Sequence, residues 1–280
     1  MNKDSVTTKL RNRSKETGVH FNILLTQFFF DEFLKQLASS EFKGYFTLKG
    51  GVLLSNLLGL STRATMDIDF LMRGMQMDLQ VLNQAIEAII SENDRSGLWF
   101  EFAREGEPIR DQDEYGGFRF FLIGHLSNIR VPFSVDIATG DPVVPEIKES
   151  AYTTVFGEII KLNVYPLETV LAEKIQTILY RAEANGRSKD FYDIHIIWKL
   201  KSAEIDVSAL RAAFDATFRY RNTAFDTNEA DRILQIIEND HGCLSRWSNF
   251  KKKNPYVGEL ELADAVAACR EIIRLVDMKR

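Results

Sequence analysis

The sequence predicts an α/β fold: a mixed sheet flanked by helices, followed by a C-terminal helical region. Three observations predict it. Residues 45–71 read as strand, glycine turn, helix and strand; three more extended stretches lie between residues 98 and 138; and helical periodicity persists from Pro166 nearly to Arg280. The boundary falls near Tyr165-Pro166. It leaves an N-terminal helical segment (1–40), a sheet core (41–165) and a helical domain (166–280).

Taken in order, residues 21–30 (FNILLTQFFF) superficially resemble a secretion signal. Asn22, Thr26 and Gln27 interrupt that run and Asp31-Glu32 follow it, so one amphipathic helix over residues 15–37 is the better expectation. Tyr45 to Leu48 supply a strand that ends at Gly50-Gly51, and Val52, Leu53, Leu54, Leu57, Leu58 and Leu60 have helical spacing. Thr65 to Leu71 return to extended character, with Met66, Ile68 and Phe70 expected to point into a core. Leu79, Leu82, Ala85, Ile86, Ile89 and Ile90 mark a helix ended by residues 93–97. Strands are expected at 98–103, 118–124, 129–138 and 159–164, with loops at Gly106-Glu107-Pro108 and Tyr115-Gly116-Gly117. Leu167, Val170, Leu171, Ile175 and Ile178 then trace a helix stopped by Asn185-Gly186; Ser188 is a good N-cap for the next, which runs to Leu200.

With 280 residues, 45% hydrophobic and 27% charged, the chain is an ordinary globular protein able to bury a sizeable core. Its 35 basic and 40 acidic residues give a formal charge of −5, so a nucleic-acid partner would need a local basic patch. Arg104, Arg110, Arg119 and Arg130 lie on or beside the strands and are candidates for such a groove; Lys251-Lys252-Lys253 offers an RNA-backbone contact that a solvated loop explains nearly as well. Cys243 and Cys269 form no zinc pattern, and His20, His125, His195 and His241 have no metal spacing. No segment is long and apolar enough to span a membrane, and a reduced cytoplasmic setting is expected.

The chemistry concentrates in four places. Asp67 and Asp69 share one strand face, and two adjacent carboxylates repel unless a cation lies between them. Magnesium, hard and oxygen-preferring, is the usual solution. Asp-x-Asp alone is common on solvent-facing strands, but here Lys49-Gly50-Gly51 precede it, glycines that admit close backbone approach before a helix N-terminus suited to phosphate. Asp136 shares a strand face with Ser134 and is a third carboxylate that the sheet could bring beside the pair. Lys174 sits in the apolar seam of its helix, where lysine is rarely buried unpaired; it either snorkels to water or reaches an anionic cluster. In Arg187-Ser188-Lys189-Asp190-Phe191-Tyr192-Asp193, Asp193 reads as an acid complementing the helix dipole. Asp190 borders the buried side, and Arg187 and Lys189 stand at the same mouth to hold phosphate.

LKGGVLLSNLLGLSTRATMDIDF, VDIATGD, LETVLAEKIQTIL and RSKDFYDIHII, in that order over residues 48–197, resemble the AbiEii/AbiGii toxin-family nucleotidyltransferases of the DNA-polymerase-β-like superfamily. The resemblance implies that residues 41–165 form a nucleotidyltransferase core. It implies metal binding by Asp67 and Asp69, with Asp136 as the third ligand, phosphate contact by Lys174, and Asp190 near the nucleophile as base. Lys49, Gly50, Gly51, Arg63, Thr65, Arg187 and Lys189 become the nucleotide-binding candidates. In one departure, Val52 stands where the family often has a serine or threonine after the glycine pair, leaving backbone N–H groups to grip the phosphates.

The expected function is therefore a magnesium-dependent nucleotidyltransferase, with manganese as the substitute ion. It would be the toxin of a toxin–antitoxin pair, moving a nucleotide from a nucleoside triphosphate to RNA, at the tRNA 3′ end, with a cognate antitoxin as partner. Two alternatives remain open at this point: a protein or small-molecule hydroxyl as acceptor, and a non-catalytic nucleotide-binding module. The intact Asp67, Asp69, Lys174 and Asp190 set argues against the last.

Overall fold

A computed structural model describes residues 2–91, 97–109 and 116–277. The chain divides into two units, one of Met1–Gly140 with Lys148–Val164 and one of Asp141–Ile147 with Tyr165–Arg280.

The first unit carries α1 (Lys3–Thr17), α2 (Phe21–Ser39), α3 (Gly50–Leu58) and α4 (Leu79–Ile90). Its strands are β1 (Phe46–Lys49), β2 (Asp67–Met72), β3 (Leu98–Ile109), β4 (Gly117–Leu126), β5 (Ile129–Ala138), β6 (Lys148–Thr153) and β7 (Ile159–Val164). They form one mixed sheet in the order β3-β4-β5-β2-β1-β7-β6, with β2–β5 and β1–β7 parallel and the other pairs antiparallel. The α/β sheet with flanking helices and a helical region after it is thus the fold the sequence predicts.

Details differ from expectation at the N-terminus. Two helices replace the single one expected over 15–37, because Gly18 adopts φ 71° and its N–H closes α1 on the Ser14 carbonyl at 2.9 Å. His20 Nδ1 then accepts from the Asn22 N–H at 3.3 Å and starts α2. Strands β3 and β4 outrun their predicted spans, and β6 was unanticipated because only Tyr152 in it is buried. Arg110, and the Asn93 and Tyr115 ends of two expected loops, lie outside the described residues.

Aromatic packing decides which sheet face is dry. Phe28, Phe29, Phe30 and Phe33 of α2 are all 0% exposed; Phe30 meets Phe133 edge-on with ring centres 5.5 Å apart, and Phe33 meets Phe100 at 6.2 Å. Burying each such side chain contributes roughly 1.5–3 kcal/mol. Ile68 and Phe70 turn toward this layer and are buried, so strand alternation sends Asp67 and Asp69 to the opposite face. Met66, expected to point inward with them, is 64% exposed, because it precedes the first residue of β2.

Asp31 is an acid placed inside the apolar layer. Asp31 of α2 accepts hydrogen bonds from Gln27 Nε2 at 2.8 Å, the Tyr152 hydroxyl at 2.7 Å and the Val155 N–H at 2.5 Å. Burial dominates these bonds and raises its pKa from 3.8 to about 6.

The second unit holds α5 (Leu167–Arg181), α6 (Ser188–Lys201), α7 (Val207–Tyr220), α8 (Thr227–Asn239), α9 (His241–Lys253) and α10 (Leu262–Asp277). Leu171, Ile178, Ile194, Leu210, Phe214 and Ile272 are fully buried in it. The Asp141–Ile147 segment is held by Thr169, whose hydroxyl accepts from the Val144 N–H at 3.0 Å and donates to the Val144 carbonyl at 2.6 Å. Ser188 opens α6 as its first helical residue instead of capping it; Arg187 is the cap and makes no side-chain cap bond. Cys243 and Cys269 are buried free thiols. Among the described residues no helix is long and apolar enough to cross a membrane.

Candidate active site

Sheet register assembles the first cluster. Asp69 on β2 pairs with Asp136 on β5, Asp136 with Arg119 on β4, and Asp69 with Lys49 on β1. A row of cation, carboxylate, carboxylate, cation therefore crosses four strands. Asp67 stands two residues back on the same face. Oxygen atoms of Asp67, Asp69 and Asp136 all lie within 4.8 Å of one another, and all three residues are half-buried.

Three carboxylates held together repel, and the surroundings offset only part of that. The Arg119 guanidinium spans Asp136, with Nε donating to Oδ1 at 2.7 Å and Nη2 to Oδ2 at 2.6 Å. Those hydrogen bonds, and then the fields of Asp136, Asp67 and Asp69, hold its pKa above the ordinary arginine range. The Thr65 hydroxyl donates to Asp67 Oδ1 at 2.5 Å, and the Gly51 N–H to Asp69 Oδ2 at 3.3 Å. As a donor set, three hard oxygens in one half-buried patch fit a divalent cation of the magnesium type. Softer metals would call for nitrogen or sulfur.

The glycine pair is shaped by this cluster. Gly50 has φ +66°, and a β-carbon on it would lie 1.9 Å from Asp69 Oδ2; one on Gly51 would lie 2.4 Å from Thr65 Oγ1. Both glycines thus make room for the carboxylate strand itself. Lys49 precedes them as the N-cap of α3, with no side-chain cap bond, so the first N–H groups of that helix are not capped by it. Val52 is fully buried in the core. Arg63 is only 1% exposed, and its guanidinium donates to the Ala64 carbonyl, inside the protein and not at its surface.

The second cluster lies in the helical unit. Lys174 Nζ on α5 donates to Asp190 Oδ1 at 2.7 Å and Asp193 Oδ2 at 2.8 Å on α6, and Arg187 Nε lies 2.8 Å from Asp190 Oδ2. Burial pulls the Lys174 pKa down; the two aspartates outweigh it and carry the pKa above the ordinary lysine value. Lysine in the apolar seam is therefore paired, not snorkelling. Asp193, read from sequence as a dipole-complementing acid, is 0% exposed and half of this grip. Lys189, next to Asp190 in sequence, is half-buried.

Arginines of the presumed groove divide. Arg119 belongs to the carboxylate cluster, Arg104 lies 3.6 Å from the centre of the Phe121 ring, and Arg130 is exposed. His125 is buried, stacked on Trp99 at 3.7 Å with Nε2 at 2.9 Å from Glu101, and serves packing.

The sequence profile of the AbiEii nucleotidyl transferase toxins, type IV toxin–antitoxin proteins, matches residues 32–269. The chain belongs to that family. Both clusters lie within the matched span, and the protein is a nucleotidyltransferase whose AbiEii membership implies a nucleoside triphosphate substrate and an antitoxin partner. Two crystal structures from Helicobacter pylori share the AbiEii chain's fold. One, a candidate nucleotidyltransferase, is 12% identical with a TM-score of 0.54 and covers 93% of this chain and 97% of its own. The other, JHP933, is 13% identical with a TM-score of 0.52 and covers 89% of each. No curated protein matches the sequence.

Proposed function

We propose that the protein is a magnesium-dependent toxin that transfers a nucleotide from a nucleoside triphosphate to the 3′-hydroxyl of an RNA, at the tRNA end. The observation that carries this reading is the Asp67, Asp69 and Asp136 trio, whose oxygens converge within 4.8 Å on one sheet face. In this reading 1–40 is a helical segment, 41–165 the nucleotidyltransferase core and 166–280 the helical domain.

Asp67, Asp69 and Asp136 would hold magnesium, with manganese as substitute. When bound, the ion supplies charge neutralisation for the phosphates and an aligned in-line geometry. Lys49, Gly50, Gly51 and Thr65 are the proposed nucleotide-binding residues of the sheet unit, the last two holding Asp69 and Asp67 in this structure, and Arg187 and Lys189 those of the helical unit. Arg63, named from sequence as a nucleotide contact, is buried with its guanidinium on the Ala64 carbonyl and would act on the nucleotide only indirectly, through the turn ahead of Thr65. Asp190, whose oxygens are held by Lys174 and Arg187, is by resemblance to the family the proposed base for the attacking hydroxyl. The new bond forms between the hydroxyl oxygen and the α-phosphorus, and the bond to pyrophosphate breaks. Lys174, paired with Asp190 and Asp193, is by the same resemblance the proposed phosphate contact. Arg104, over the Phe121 ring with its guanidinium carbon 3.6 Å from the ring centre, favours an RNA acceptor, since guanidinium and aromatic groups both accept stacked bases.

The test incubates the protein with total RNA, each labelled triphosphate in turn, and magnesium. Label should enter RNA, and Asp67→Asn should abolish it. Label entering protein but never RNA would replace the acceptor, and transfer persisting without divalent metal would remove the ion from the mechanism.

A further inference from the structure

Arg119 occupies both oxygens of a carboxylate that the reading above assigns to a divalent cation, on which the following rests. Its hydrogen bonds to Asp136, at 2.6 and 2.7 Å, are charge-assisted and bidentate. A cation with two positive charges arriving at the same carboxylate repels the guanidinium, which is already drawn to Asp67 and Asp69 as well.

The pair is not needed to hold its strands together. Backbone pairing between β4 and β5 is continuous from Gly117–Ala138 to Leu126–Ile129, so register survives without the side chains. Nor is Arg119 locked in place: its side chain is 37% exposed, against 14% for Asp136. The guanidinium can leave and the carboxylate stays.

We propose that Arg119 is an exchangeable counter-ion of the cluster: it holds Asp136 while no divalent cation is bound, and turns to the triphosphate once one is. A triphosphate is the anion that the reaction brings to this sheet face, and the planar guanidinium fork matches phosphate oxygens as well as it matches a carboxylate. Lys49, flanking Asp69 in the same row, gives the incoming anion a second cation on the opposite side of the carboxylates.

Exchange predicts effects of opposite sign on two ligands. Calorimetric titration with manganese alone should show Arg119→Gln binding the ion about fivefold to tenfold more tightly than the native protein, because Asp136 is released from its competitor. Inorganic triphosphate, titrated at saturating manganese, should bind the same variant about tenfold more weakly, and Arg119→Lys, which keeps the charge without the fork, should fall between for both. Manganese binding that is unchanged or weaker in both Arg119 variants would overturn the exchange and leave Arg119 a fixed support. Asp67→Asn separates that failure from failure of the metal reading. If Asp67→Asn binds manganese as the native protein does, the cluster is not the metal site and the exchange falls with it. If Asp67→Asn loses manganese while the Arg119 variants match the native protein, only the exchange falls.

Discussion

Gly50 and Asp69 are fitted to each other: any β-carbon at residue 50 would stand 1.9 Å from the aspartate Oδ2, at a φ of +66° that L-residues avoid. Glycine at this place keeps the second carboxylate of the strand in its position. Gly50→Ala should therefore cost about 2–4 kcal/mol through backbone strain and overpacking. It should also weaken manganese binding by displacing Asp69. Urea unfolding and metal titration of one preparation check both, and native values in the two would refute the coupling.

Lys174 reaches from α5 to both Asp190 and Asp193 of α6, so its removal takes the ammonium from the fully buried Asp193 carboxylate. Lys174→Met should destabilise the protein by about 3–5 kcal/mol, whereas Lys174→Met with Asp193→Asn should recover much of that loss. Denaturation midpoints of the three proteins decide it; additive losses would show that the ammonium and Asp193 do not depend on each other.

Asp31 gives a pH signature far from any chemistry. Its folded pKa, raised to about 6 from 3.8, means that the native state keeps a proton that the unfolded chain has released. Between those values the folded state binds more protons, so stability falls as pH rises and the loss is complete above about 6. The stability of Asp31→Asn relative to the native protein should hence climb by roughly 2.5 kcal/mol from pH 4 to pH 7, most of the full shift at about 1.4 kcal/mol per pKa unit. A flat difference in unfolding free energy across that range would contradict it.

Arg104 and Phe121 test the acceptor. Arg104→Ala and Phe121→Ala should lower RNA affinity about tenfold or more, in line with the worth of a stacked base, and leave triphosphate binding alone. A gel-shift titration beside a triphosphate titration reads both, and equal losses in the two would place the pair at the nucleotide instead.

The carboxylate strand was legible because two signals coincide in sequence: a strand period that puts Asp67 and Asp69 on one face, and glycines ahead of them. The cause assigned to those glycines was incomplete. They are required by Asp69 and Thr65 pressing on them, which no reading of the turn by itself reveals. Arg119 was noticed as one of several basic residues, although its partner could have been counted. Ser127-Asn128 is a two-residue hairpin turn, and equal steps back along β4 and forward along β5 bring Arg119 opposite Asp136. Asp193 escaped because a first-turn acid has an adequate local explanation, and only α5 packing on α6 shows the lysine it faces. The break at Gly18 was legible, since residues 11–17 ahead of it are all polar and the apolar run starts only at Val19.

The Asp141–Ile147 segment, interposed between β5 and β6 but belonging with the helices, has an evolutionary corollary. Genes exchange modules most easily at one crossover, and here one crossover cannot separate the two units. A single breakpoint after β7 would hand a new helical partner to the sheet while leaving behind the strip that Thr169 clasps through Val144. Sheet and helices should be inherited together, and a chimera of this protein with a relative should need three junctions, not one.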